Sequence, residues 1–217
     1  MKYVIVNTGV GNVRSVANML KRAKVVATIS DDPKVMESAD AILLPGVGSY
    51  DAAIRRFKSA GIVDVLNEHA LVKNTPILGI CLGMQLLASG SEEGNEPGFG
   101  WIPGELKRIP KVGVEGVPVR VPHMGWNIIE QFENNVLYDN MGSEPRFYFD
   151  HSYCFIAERD DYYCGSVVHG VRFAAGIRKG NIFGVQFHPE KSHRFGLALF
   201  ENFVRFVDKH NSVTIGC

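Results

Sequence analysis

The sequence predicts an α/β fold: an open, mostly parallel twisted sheet with helices on both faces and antiparallel additions. Three observations carry this reading. In the first half, short apolar runs alternate with stretches of helical periodicity, the pattern of a parallel sheet covered on both sides. From Gly98 to about Phe187 the chain changes to short strands and turns, which suits antiparallel strands. One amphipathic helix then closes the sequence.

Taken in order, Tyr3–Val6 reads as a strand, 13–24 as a helix, and 25–29 and 41–44 as strands. Two helices follow over 50–58 and 62–71, then a strand over 77–80. Gly94 to Gly104, rich in glycine and proline, reads as a surface loop. Later strands are expected at 119–121, 127–130, 146–149, 162–168 and 182–187. The last helix, about 195–209, repeats apolar residues through Leu199, Phe203 and Phe206. There is no internal repeat, and 217 residues suffice for one domain, 1–217, with a substantial core.

Composition narrows the function classes. A hydrophobic content of 46% with 21% charged residues is ordinary for a soluble globule. Twenty-three basic residues balance twenty-three acidic ones, so no global field draws the chain to nucleic acid or to an anionic membrane. The apolar start, Tyr3–Val6, is too short for a signal peptide, and the stretch from Thr75 to Ala88 is too short to span a bilayer. The four cysteines, Cys81, Cys154, Cys164 and Cys217, form no C-x-x-C pair and no disulfide framework, as expected in a reducing, cytoplasmic setting.

Cys81 carries the most chemistry. It lies in Gly79-Ile80-Cys81-Leu82-Gly83, where an apolar strand turns through glycines into a helix-forming segment. This is a nucleophile elbow with sulfur in place of oxygen: the glycines leave room for a tight backbone, and the following helix start favours a thiolate. The bland alternative is a buried core cysteine without chemistry. In an open α/β sheet the ligand site lies at the carboxyl ends of the strands, where Cys81 would stand.

Near the other end, Gly184-Val185-Gln186-Phe187-His188-Pro189-Glu190 closes an apolar strand. Side chains two apart in an extended segment face the same way, so Glu190 can hold one nitrogen of His188 and leave the other to serve Cys81. Alone, His-x-Glu is more often structural; with a cysteine elbow it completes a Cys–His–Glu triad. A third element, Leu43-Leu44-Pro45-Gly46-Val47-Gly48, is a strand entering a glycine turn. Backbone N–H groups there, at Gly46 and Val47, can join that of Leu82 around a developing oxyanion. The turn Gly9-Val10-Gly11-Asn12-Val13-Arg14 superficially matches a dinucleotide fingerprint, but Arg14 stands where a third glycine belongs.

Pro45-Gly46-Val47-Gly48, Gly79 to Gln85 and Gln186 to Glu190, in that order, resemble the class I glutamine amidotransferases and their flavodoxin-like domain. Pro122-His123-Met124-Gly125-Trp126-Asn127, His151-Ser152-Tyr153, Arg178-Lys179-Gly180 and Lys191-Ser192 narrow the resemblance to glutaminase subunits of imidazole glycerol phosphate synthase, in histidine biosynthesis. It implies that Cys81 attacks the side-chain amide of glutamine, His188 protonates the departing ammonia, and water hydrolyses the glutamyl thioester. It further implies that Gln85 and the Ser152–Tyr153 backbone hold the α-amino and α-carboxylate ends, and that no metal or organic cofactor is needed. The ammonia would pass to a (β/α)8-barrel cyclase subunit, docked through Asn12, Met124, Trp126, Tyr148 and Lys179. Val47 stands where many amidotransferases have a more flexible sequence, which suggests that the Gly46–Val47 peptide rests with its N–H turned away and rotates when the partner binds substrate, with a small strain at β-branched Val47 in the active arrangement. Two alternatives stay open: a paralogous subunit supplying ammonia for surface-polysaccharide sugars, and a stand-alone cysteine hydrolase of γ-glutamyl compounds. A non-catalytic binding subunit would leave elbow, His188 and Glu190 fortuitous.

Overall fold

The computed structural model describes residues 1–7, 9, 11–114, 116–132 and 135–214; Val10 of the first glycine turn and Cys217 lie outside them. The first half follows the predicted alternation: β1 (Tyr3–Val6), α1 (Val13–Arg22), β2 (Ala27–Ser30), α2 (Pro33–Met36), β3 (Ala41–Gly46), α3 (Tyr50–Ser59), α4 (Val63–Leu71) and β4 (Ile77–Cys81). β2 starts later than expected because Val25 still belongs to the end of α1. Lys24 turns left-handed at φ 66°, and the Val25 N–H donates to Leu20 O at 2.9 Å. The single-turn α2 is too short for a periodicity signal. Pro33 starts it, and the Asp32 carboxylate accepts the Lys34 N–H at 2.9 Å.

After the elbow come a one-turn helix α5 (Leu82–Gln85) and β5 (Gly90–Ser91), β6 (Gly104–Arg108), β7 (His123–Ile128), β8 (Glu130–Gln131), β9 (Arg146–His151), β10 (Tyr153–Ala157), β11 (Tyr163–His169), β12 (Val171–Lys179), β13 (Ile182–Val185) and α6 (His193–Thr214). The main sheet has the order β2-β1-β3-β4-β13-β12-β11-β8. The first five strands run parallel and the last three are antiparallel additions. β10-β6-β5 and the pair β7-β9 form two smaller sheets.

Side chains alternate across the parallel strands. Tyr3, Ile5, Leu43, Leu78, Ile80, Phe183 and Val185 meet α1 and α6 on one face. Val4, Val6, Ile42, Leu44, Ile77 and Ile182 meet α3 and α4 on the other. A strand buried on both faces must be apolar at every position, which is why these short runs were readable.

Several expectations need correction. No strand forms at 119–121: Pro118 and Pro122 bracket it without N–H groups, and the Val119 N–H donates to Lys111 O at 2.8 Å. The expected strand at 127–130 is two strands, since β7 pairs with β9 while β8 crosses to β11, with Ile129 buried at the corner. β12, the longest strand, was missed because Ala174-Ala175-Gly176 at its centre lacks β-forming residues. The 94–104 loop is pinned rather than superficial: Trp101 and Ile102 are buried, and Trp101 Nε1 donates to Asn67 Oδ1 at 2.8 Å.

Candidate active site

β4 ends in a strained turn. Cys81 sits at φ 54° and ψ −110°, a conformation that costs a non-glycine residue on the order of 1–3 kcal/mol. The flanking glycines are required by contact. A Cβ on Gly83 would lie 1.6 Å from Leu44 O, and one on Gly79 would lie 2.7 Å from Gly83 O. β3 and β13 hold β4 from both sides, with Gly46 opposite Cys81. The side chain therefore projects at the carboxyl end of the sheet, as the sequence predicted.

His188 follows β13 and is 2% exposed. Its Nδ1 lies 2.9 Å from Glu190 Oε1, both side chains being shut off from solvent. Burial would lower the imidazole pKa, but the Cys81 sulfur and the Glu190 carboxylate, by hydrogen bonding and charge, raise it to about 10. The imidazolium is thus the stable form at neutral pH. α5 is a single turn, so the charged group that meets the Cys81 sulfur is this imidazolium and not the end of a long helix. Cys154 and Cys164 are separate buried free thiols, pushed by burial to about 11 and about 12.

A cavity of about 310 Å³ opens beside Cys81, and Val47, Leu82, Gln85, Ser152, Tyr153 and His188 line it with Glu93. The structure therefore brings together the triad and the predicted substrate-binding positions, with buried Gly46 packed behind them against Leu82 and Gly83. Positive φ in the oxyanion turn falls on Gly48, at 107°, and not on Gly46 or Val47.

Two residues escaped the sequence reading. Glu93 reaches the cavity from the loop after β5. Burial raises its carboxyl pKa, the Tyr50 N–H that donates to Oε1 lowers it, and Asp51 raises it further. A carboxylate so placed suits a substrate ammonium; nothing in Ser91-Glu92-Glu93-Gly94 marked it. Gln186 lies 0% exposed on the cysteine side of the strand end, with Nε2 at 3.9 Å from Cys81 Sγ. Gln85 is more committed than foreseen, since its Nε2 donates to Tyr153 O at 3.3 Å and to Gln186 Oε1 at 3.2 Å.

Of the predicted docking residues, Met124 and Trp126 are 59% and 46% exposed on β7. Trp126 stands opposite Tyr148 and stacks on His193 at 5.4 Å. Asn12 is exposed at the start of α1, at the same end of the sheet. Lys179 is not with them. It pairs with Ile182 at the amino ends of the parallel strands, where its Nζ donates to Trp101 O at 3.0 Å. Lys191 instead lies by this face, 5.2 Å from the Tyr148 ring. Antiparallel β12 carries Lys179 away from the site, a reversal that motif matching along the chain could not reveal.

A family model described as glutamine amidotransferase class-I matches residues 2–206. The chain is 44% identical over 205 residues to imidazole glycerol phosphate synthase subunit HisH 2 of Pseudomonas aeruginosa, covering 94% of this chain and 99% of that one. It is 39% identical over 200 residues to subunit HisH of Bdellovibrio bacteriovorus, covering 92% and 97%. Among solved structures, PurLQS from Thermotoga maritima shares the fold with a TM-score of 0.70 at 20% identity, covering 95% of this chain and 98% of that one.

Proposed function

The chain belongs to the class-I glutamine amidotransferases, and from that premise we propose that it is the glutaminase subunit of an imidazole glycerol phosphate synthase, with Cys81, His188 and Glu190 as its catalytic residues. It hydrolyses glutamine to glutamate and ammonia, and the ammonia is used in histidine biosynthesis. The observation that carries the assignment of residues is the strained, buried Cys81 beside a His188 whose imidazolium is held by Glu190.

Glutamine enters with its ammonium towards Glu93 and its carboxylate towards the Ser152–Tyr153 backbone. The Cys81 sulfur attacks the side-chain carbonyl carbon, and the Leu82 and Val47 N–H groups receive the oxyanion. The carbon–nitrogen bond breaks as His188 gives its proton to the leaving nitrogen, so ammonia departs and a glutamyl thioester remains. Water then attacks the thioester, His188 takes its proton, and glutamate leaves as sulfur is released. Glu190 keeps the imidazole oriented throughout.

The partner is a (β/α)8-barrel cyclase subunit, which docks on the face carrying Asn12, Met124, Trp126 and Tyr148 and receives the ammonia. Among the described residues no helix is long and apolar enough to cross a membrane. The site of action we propose is the cytoplasm.

The test is glutamine hydrolysis by the chain alone and with the cyclase subunit plus its phosphoribulosyl-formimino ribonucleotide. Strong stimulation with formation of imidazole glycerol phosphate is expected. Cys81→Ser should abolish hydrolysis while ammonia-driven synthesis in the complex survives. Hydrolysis by the serine variant at the wild-type rate would overturn Cys81 as nucleophile, and absence of stimulation by a cognate partner would overturn the histidine-pathway assignment.

A further inference from the structure

A buried histidine pair lies between β7 and the cavity and takes no part in the chemistry above. β7 and β9 place His123 opposite His151, and the rings meet with His123 Nδ1 at 3.0 Å from His151 Nε2. His151 Nδ1 lies 2.8 Å from Tyr153 O, and His123 Nε2 lies 3.3 Å from Asn127 Nδ2.

Both ends of this chain dictate the same proton arrangement. Asn127 Oδ1 accepts the Ile128 N–H at 2.8 Å, and Nδ2 donates to Val168 O at 3.0 Å, so nitrogen must face His123. That makes His123 Nε2 the acceptor and Nδ1 the donor. From the other end, Tyr153 O only accepts, so His151 Nδ1 must carry hydrogen and its Nε2 must accept. The polarity is continuous: Asn127 to His123, His123 to His151, His151 to the Tyr153 carbonyl.

Both rings are neutral and clamped. Burial first, then neighbouring histidines, lower His123 to about 3. Burial lowers His151 to about 4, with the Tyr153 carbonyl opposing and His169 and His188 assisting. His123 is stacked between Phe149, at 4.6 Å, and His169, at 4.2 Å, while Phe173 meets both histidines edge-on. A pair that cannot hold charge at neutral pH and cannot turn is suited to positioning rather than to proton transfer.

What it positions is the glutamine pocket. Tyr153 O, the end of the chain, also accepts from Gln85, which donates onward to Gln186 beside Cys81. We propose that His123 and His151 form a hydrogen-bonded strut, anchored on β7 by Asn127, that holds the Ser152–Tyr153 backbone in the register required to bind glutamine. The strut rests on the glutaminase reading above and extends it. It also links the pocket to the strand whose outer face carries Met124 and Trp126.

The test uses the assembled complex with the cyclase subunit. Wild-type glutamine hydrolysis is measured first, because its absence overturns the glutaminase reading, whereas its presence leaves the strut to be judged by the variants. His123→Phe keeps a flat aromatic ring, somewhat larger, but removes both hydrogen bonds; it should raise KM for glutamine about tenfold while kcat changes less than about threefold. His123→Asn places an amide nitrogen near the Nδ1 position and should restore KM to within about threefold of wild type. Asn127→Leu removes the anchor and should raise KM about threefold. An unchanged KM in folded His123→Phe or Asn127→Leu overturns the strut, as does equal damage in His123→Phe and His123→Asn. If His123→Phe does not fold, imidazole nitrogen NMR of the wild-type complex decides. Hydrogen on Nδ1 and a bare Nε2 in both rings support the strut, and the opposite tautomer in either overturns it.

Discussion

Replacing Glu190 with glutamine keeps an acceptor for the His188 Nδ1–H and nearly the same shape, but removes the charge. The difference between the ordinary 6.5 and about 10 at His188 amounts to on the order of 5 kcal/mol in favour of the imidazolium. This is the surplus left by Cys81 and Glu190 after burial has taken its share in the opposite direction. Glu190→Gln leaves burial opposed by Cys81 alone, so the imidazole pKa should drop by more than about one unit. The alkaline limb of glutamine hydrolysis should move down with it, and the rate at neutral pH should fall about a thousandfold. Stability follows the same linkage. A folded pKa above the unfolded one contributes stability that is fully present below about pH 6.5 and is lost as pH rises through about 10. The melting-temperature deficit of the variant should therefore be largest near pH 6 and close towards pH 10. The assays are a pH–rate profile in the complex and thermal melts across that range. An unmoved alkaline limb, with a rate within about threefold of wild type, would refute the role given to Glu190.

Two further outcomes follow from contacts at the elbow and on β7. Gly83→Ala must push α5 from β3, since its Cβ would lie 1.6 Å from Leu44 O; urea denaturation should show a loss on the order of 4 kcal/mol, or no folded protein at all. Trp126→Ala, at a position 46% exposed, should leave the melting temperature of the isolated chain nearly unchanged. It should weaken calorimetric affinity for the cyclase subunit by on the order of a hundredfold, as loss of a central interface tryptophan does.

Apart from the edge strand β2, the parallel half of the sheet was legible because its strands are buried on both faces and must be apolar throughout, as 77–81 is. The triad was legible for a related reason: Gly79, Cys81 and Gly83 are neighbours in sequence, as are His188 and Glu190, so local geometry was written locally. What could not be read joins distant segments. β12 takes its structure from β11 and β13, not from its own alanines and glycine. Lys179 is carried by that strand to the far end, and Glu93 reaches the cavity through a turn in which its N–H donates to Ser91 Oγ and its carboxylate accepts from the Tyr50 N–H, 43 residues away. His123 and His151 are both in recognisable motifs, yet their contact depends on an antiparallel register across 28 residues.

Cys81 also offers a way to separate the needs of the fold from those of the reaction. Its dihedrals, φ 54° and ψ −110°, lie where a Cβ is crowded, and glycine would enter that region freely. At an ordinary buried position alanine is more stable than glycine by about 0.5–1 kcal/mol, through chain entropy. At residue 81 the order should reverse. Both Cys81→Ala and Cys81→Gly lose the sulfur, its contacts and its effect on His188, so comparing the two isolates the Cβ. Chemical denaturation should find Cys81→Gly the more stable by about 1–2 kcal/mol, with both variants inactive towards glutamine. Alanine proving equal or better would mean that β3, β13 and the two glycines impose no strain at the elbow. The projection of the sulfur into the cavity would then follow from the tight turn alone, without a conformational cost.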